Sequence, residues 1–347
     1  METPINLISD TVTKPTPNML DAMMQAEIGD DVFQADPSVN RLEAYAANLF
    51  GMEAALFCPS GTMTNQIAIQ CHTNKLEEVI CHEYSHVYQY ETGGFAYNAR
   101  VGMKLLQGPQ GKITAEQVEA AINPDYDWLP ASTLVVLENT CNKGGGATYN
   151  LHEIEPIKSV CREKGLMLHL DGARLFNALV ETQDDPKAYG QVFDSISICL
   201  SKGLGAPVGS LLIGDGKTLK QARRLRKVMG GGMRQAGFLA AAGLYALEHH
   251  VDRLFEDHQR ARTIAHLLET CNFVDSIRPV ETNILIFDLV EPWTAAGFLE
   301  QLKMQGVLAS PFGPKTIRFV THLDFNDQML EKTLDVLTKM ASTAVPA

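Results

Sequence analysis

The chain has 347 residues, 45% hydrophobic and 20% charged, a balance that suits a soluble globular protein with a large core and about two domains. Its net charge of −12 argues against DNA, RNA or an anionic membrane as the main partner, because all three attract basic surfaces. Seven scattered cysteines with no C-x-x-C pair point to a reduced compartment rather than a disulfide framework, and no Cys/His spacing suits a metal.

The N-terminal "METPINLISDTVTKP" lacks the basic end and apolar stretch of a signal peptide, so a cytoplasmic protein is expected. Asp36-Pro37 offers an N-cap followed by Pro at the first helical position, and Val39, Leu42, Tyr45 and Leu49 mark one helical face. Strand-like runs follow at 54–60, 78–83, 133–139, 166–173, 195–200 and 209–214. Helix-length stretches lie between most of them, for example 114–122 and 151–165, the latter ending on Gly165 as a C-cap would. The longest apolar run, Phe238 to Leu247, is too short to span a bilayer. Apolar strands alternating with helices predict an α/β fold with a mostly parallel sheet covered on both faces. After Glu248 the pattern changes to an amphipathic helix at 250–269, a strand at 282–290, a helix at 294–306, a strand at 316–322 and a last helix from Asn326. This predicts a large domain over 1–248, whose N-terminal segment contributes to the substrate site, and a small α+β domain over 249–347.

Three places carry chemistry. In "CPSGTMTNQIAI" a strand ends, Ser60-Gly61-Thr62 turns and a helix begins; free N–H groups and two hydroxyls there make a phosphate cradle. In "LHLDGARLFNA" Asp171 ends an apolar strand and points into the crevice where α/β proteins bind ligands. In "SICLSKGLGAPVGS" Lys202 follows an apolar strand and precedes Gly203, Gly205 and Gly209, which let the backbone approach something bulky. Taken singly each has a plainer reading: a capped turn, a helix-capping Asp with Arg174 as its surface partner, a lysine snorkelling from a strand end. Taken together they suggest pyridoxal phosphate, which needs a lysine for its imine, a carboxylate for its ring nitrogen and a cradle for its phosphate.

The segments "INLISDTVTKPT", "GDDVFQADPSVNRLE", "FCPSGTMTNQ", "LHLDGARLFNA", "SICLSKGLGAPVGS", "GGGMRQAG" and "IRFVTHLD" closely resemble the low-specificity L-threonine aldolases, in order, from about Ile5 to Asp324. The resemblance implies a fold-type I, pyridoxal phosphate-dependent transferase-like architecture and retro-aldol cleavage of L-threonine or L-allo-threonine to glycine and an aldehyde. It implies that Lys202 carries the cofactor, Asp171 pairs with the ring nitrogen and Ser60, Gly61 and Thr62 hold the phosphate. It further implies that His86 stacks on the ring and helps move protons, that Arg174 lies at the substrate end, and that Ser9 and Arg318 bind the substrate carboxylate. Lys227 and Arg234 would reach a cofactor across a subunit boundary, in a homodimer or homotetramer with shared sites.

The chain departs from the family pattern at Cys141, where a His is common, and at Phe33 and Gln34, where Tyr and Gly are common. These changes put threo versus allo preference, and the native substrate, in question. The adjacent "KGGGA" (143–147) reads as a mobile loop rather than a ligand cradle. Other fold-type I reactions, such as β-elimination or transamination, use the same lysine and aspartate, and a catalytically retired binding protein shares the fold. A dehydrogenase is disfavoured because no glycine fingerprint is present.

Overall fold

The structure is a computed structural model and describes residues 4–342. The chain opens with a two-residue strand, β1 (Ile5–Asn6), and then builds one large sheet. Its strands are β2 (Ala54–Cys58), β3 (Glu78–His82), β4 (Gly102–Leu106), β5 (Ser132–Glu138), β6 (Met167–Gly172), β7 (Ser195–Cys199) and β8 (Ser210–Gly214). Their order is β2-β8-β7-β6-β5-β3-β4, and only β8 runs against its neighbours. Runs such as Leu134–Leu137 and Leu168–Leu170 are buried on both faces, the requirement for parallel strands covered by helices. The edge strand β4 is absent from the sequence reading; its residues are half-exposed or exposed, so it lacks the apolar run that marks the interior strands.

Local chemistry sets the helix ends. Asp36 accepts from the Ser38 and Val39 amides to start the helix Pro37–Leu49, an interaction worth about 1 kcal/mol against alanine. Asn150 and Glu153 form a reciprocal capping box on the helix Leu151–Lys164, and Gly165 ends it at φ +75°, in the left-handed region that glycine tolerates.

The smaller lobe adds β9 (Val274–Ile277), β10 (Ile284–Leu289), β11 (Val307–Leu308), β12 (Ser310–Pro311) and β13 (Thr316–Val320). Four of these make an antiparallel sheet in the order β12-β13-β10-β9. β1 pairs in parallel with β11, and Ile5 and Leu7 bury among Phe273, Phe287, Phe298 and Phe319. The start of the chain is thereby anchored in the smaller lobe, and the residues that follow it, Ser9 and Asp10, are delivered to the seam between the lobes. The segment expected to be a mobile loop is instead a packed turn. Gly144 to Ala147 are buried, Cys141 bridges to Ala147, and a Cβ on Gly144 would lie 1.9 Å from the Gln110 carbonyl oxygen. Among the described residues no helix is long and apolar enough to cross a membrane.

Candidate active site

One geometric fact organises the chemistry. Strands β2, β3, β5, β6 and β7 all point the same way, so the residues that follow them share one edge of the sheet. Ser60 follows β2, His86 follows β3, Glu138 ends β5, Asp171 lies near the end of β6 and Lys202 follows β7. This carboxyl edge is where open α/β sheets bind ligands. A cleft of about 410 Å³ opens there, lined by His86, Glu138, Arg174 and Lys202 from the large lobe and by Ser9, Ser310, Phe312 and Arg318 from the seam and the smaller lobe.

Asp171 is buried and accepts two hydrogen bonds. Its Oδ2 accepts from Asn65 Nδ2 at 2.9 Å and its Oδ1 from the Ala173 amide at 3.2 Å. The same Asn65 amide donates to Glu91 Oε1 at 2.9 Å, and that oxygen lies 3.1 Å from His86 Nδ1. Burial by itself would lower the His86 pKa, but the Glu91 hydrogen bond and the charges of Asp171, Glu91 and Glu138 outweigh it and raise the pKa.

Glu138 stands opposite Asp171 in the ladder of adjacent parallel strands. Its oxygens accept from the backbone amides of His86, at 2.8 Å, and Asn142, at 2.9 Å. Burial and the Asp171 charge push its pKa from 4.5 up to about 7, against the pull of those two amides and of His86. A carboxyl group titrating near neutrality on the wall of a cleft is a candidate proton carrier.

The cationic side of the cleft is built by the N-terminal segment. Asp10 grips Arg174 with two hydrogen bonds of 2.7 Å, from Nε and Nη2, which leaves Nη1 free of that pair. Arg318 donates to Asn142 Oδ1 at 3.2 Å and to the Ile8 carbonyl at 3.0 Å, with its guanidinium 5.2 Å from the Phe312 ring centre. Its buried Nε has no protein partner, and burial together with the Arg174 charge lowers its pKa. Ser9 Oγ accepts from Thr11 at the cleft wall.

Lys202 Nζ donates to Cys199 Sγ at 3.2 Å. Ser60 caps the helix Gly61–His72 through the Met63 amide, and Ser60 and Thr62 are exposed. Gly61 is required by space: a Cβ there would lie 2.6 Å from Cys199 Sγ. Ser9, His86, Arg174, Lys202 and Arg318 line the cleft, and Asp171 lies behind it, bonded to the amide of the cleft residue Ala173. Lys227 and Arg234 do not line it. Both are exposed, and Arg234 pairs with Asp30 at 2.7 Å. Arg226, beside Lys227 in "RRLRK", is instead buried against Asp31 at 2.7 Å.

Neither Phe33, which is 76% exposed, nor Cys141 lines the cleft of its own chain. The Cys141 thiol is buried, hydrogen-bonded to the Glu138 carbonyl at 3.1 Å, and its pKa lies well above the usual thiol value because of burial and the Glu138 charge. It is therefore a packed thiol, not a reactive one. Sequence reasoning missed Glu138, Asp10, Asn65 and Glu91. Glu138 carries the same signal as Asp171, an acid closing an apolar strand, in "TLVVLEN". The other three carry no local signal.

A large mostly parallel sheet, a smaller antiparallel sheet and a cleft at the carboxyl edge give this chain the architecture of fold type I. A structure of Leishmania major threonine aldolase matches this fold with a TM-score of 0.84 over 98% of this chain and 100% of that one, at 24% identity. The chain belongs to the beta-eliminating lyase family, whose model matches residues 6–292. It is 43% identical over 329 residues to the low specificity L-threonine aldolase of Escherichia coli K12, covering 94% of this chain and 96% of that one. It is 40% identical over 346 residues to a probable low-specificity L-threonine aldolase of Arabidopsis thaliana, covering 97% of each.

Proposed function

We propose that this chain is a pyridoxal phosphate-dependent carbon–carbon lyase that cleaves L-threonine, L-allo-threonine or a related β-hydroxy-α-amino acid to glycine and an aldehyde. The observation that carries the reading is a cleft lined by a lysine amine and an underused guanidinium, with a buried hydrogen-bonded carboxylate behind it, on a chain 43% identical to relatives named for this activity.

The residues fit the cofactor. Lys202 would hold it through its amine, Asp171 would face its ring nitrogen, and the hydroxyls of Ser60 and Thr62 with the open helix start at Gly61 would take its phosphate. His86 would lie against the ring. When bound, the cofactor supplies an electron sink for the breaking Cα–Cβ bond.

The remaining work falls to the chain. Arg318 and Ser9 bind the substrate carboxylate, and Arg174, aimed by Asp10, closes that end. Clamping the carboxylate decides which bond at Cα is aligned for cleavage, so positioning enters the rate directly. The proton of the β-hydroxyl goes to the Glu138–His86 pair, whose carboxyl is poised near neutrality. Lys227 and Arg234 serve the site of a second copy in a homodimer or homotetramer, which accounts for two cations exposed on their own chain.

The test is a panel of L-threonine, L-allo-threonine, D-threonine and phenylserine scored for aldehyde and for keto acid. Aldehyde and glycine without keto acid are expected, with Lys202→Ala leaving marginal turnover. Keto acid as the main product would assign the chain to elimination or transamination. Borohydride reduction should leave the cofactor on Lys202 after digestion, and a label elsewhere, or none, would defeat the reading.

A further inference from the structure

Behind Asp171 lies a row of buried polar side chains that the reaction described above does not use. Asn65, His169 and Ser195 are at most 2% exposed and His72 is 9% exposed, and none of the four lines the cleft. We propose that Asn65, held in one orientation by His169, Ser195 and His72, is a positioning residue that keeps the Asp171 carboxylate aimed toward the cofactor ring nitrogen. The proposal rests on the cofactor reading above.

One set of donors and acceptors satisfies every side-chain contact in the row, at the cost of leaving the Ser195 carbonyl without a hydrogen from His169. Asn65 Nδ2 spends its two hydrogens on Asp171 Oδ2 and Glu91 Oε1, each at 2.9 Å. Turning the amide over would set its oxygen against two carboxylate oxygens. Asn65 Oδ1 therefore accepts, and the atom facing it is His169 Nε2 at 3.2 Å. Burial pushes the His169 pKa down to about 3, so the ring is neutral and carries one hydrogen. A hydrogen on Nδ1 would suit the Ser195 carbonyl, 3.1 Å away, but would leave Nε2 and Asn65 Oδ1 as two acceptors face to face. With the hydrogen on Nε2, Nδ1 accepts from Ser195 Oγ at 2.7 Å, and that oxygen in turn accepts from His72 Nε2 at 2.7 Å. Four successive donors thus point one way, toward Asp171.

Aligned donors polarise one another, which strengthens the last bond in the row. A carboxylate held beside a ring nitrogen favours the protonated form of that nitrogen, because opposite charges attract. Aimed by Asn65, Asp171 would favour the protonated ring, the state in which the ring draws electrons. Asn65 also ties Asp171 to the Glu91–His86 pair, so one amide sets both groups that meet the ring.

The test uses holoenzyme carrying cofactor isotopically labelled at the ring nitrogen, read by NMR, in Asn65→Leu, His169→Phe and His169→Gln. Asn65→Leu should move the ring-nitrogen signal from the pyridinium toward the neutral pyridine position. It should lower kcat by roughly 10–100-fold, as for other outer-shell partners, while KM and the borohydride label on Lys202 stay unchanged. His169→Phe should move the signal part of the way, and His169→Gln, whose amide nitrogen stands near Nε2, should return it. A parent-like signal in both Asn65→Leu and His169→Phe overturns the inference. If Asn65→Leu yields no folded holoprotein, the His169→Phe and His169→Gln pair decides by the same signal. Absence of the label from Lys202 in the parent enzyme would overturn the cofactor reading, and this inference with it.

Discussion

Asp10→Asn isolates what the N-terminal segment contributes to the cleft. Asp10 is fully buried and holds Arg174, whose side chain is 7% exposed, by two bonds of 2.7 Å. Burial would raise the Asp10 pKa, yet the charge and hydrogen bonds of Arg174, with help from Lys202 and Asn283, bring it from 3.8 down to about 2. Asparagine keeps the shape but turns an N–H₂ group toward the guanidinium and removes the charge. Leaving one member of a buried ion pair alone costs about 3–5 kcal/mol. That is a large part of a total stability of about 5–15 kcal/mol. Because the folded pKa lies below the unfolded one, this contribution is complete above about pH 4 and drains away as pH falls toward about 2. Urea unfolding at neutral pH should therefore show the variant well below the parent, with the gap narrowing in acid. Arg174 would lose its aim, so KM should rise more than kcat falls. An unchanged urea midpoint at neutral pH, together with an unchanged KM, would refute the reasoning.

Glu138 titrates near 7, and its carboxylate form grows as pH rises, so cleavage should climb through about pH 7 and then level. Glu138→Gln should lose that rising limb and about 10²–10⁴ in rate; a variant that keeps the same limb would remove Glu138 from proton transfer. If Lys227 and Arg234 serve a neighbouring copy, Lys202→Ala and the Lys227→Ala/Arg234→Ala double variant should each be nearly inactive and regain turnover when their subunits are mixed and exchanged. No recovery from a verified hetero-oligomer would refute shared sites.

The legible parts of the site share one property. Asp171 and Lys202 stand at or just beyond the ends of apolar runs, where a charge conflicts with its local setting and so announces itself. Glu138, closing the apolar run "TLVVLE", carries that signal too. Asp10, Asn65 and Glu91 look like ordinary polar residues because their partners are distant: Asp10 meets Arg174 across 164 positions, Asn65 meets Asp171 across 106, and Glu91 meets Asn65 across 26. The packing of segment 143–147 is hidden for a related reason. Three glycines look flexible in a sequence, yet here they admit close approach of Gln110, Thr282 and Ile284 and are packed.

By itself the sequence determined the alternation of strands and helices, the caps at Asp36, Ser60 and Gly165, and which residues stand just past a strand. Those features depend on periodicity and on neighbours a few positions away. Only the tertiary structure decided that β1 anchors in the smaller lobe, that Asp10 aims Arg174, and that Glu138 lies beside Asp171. Electrostatics and hydrogen bonding act over a few ångströms of space, and folding alone determines which distant residues share that space.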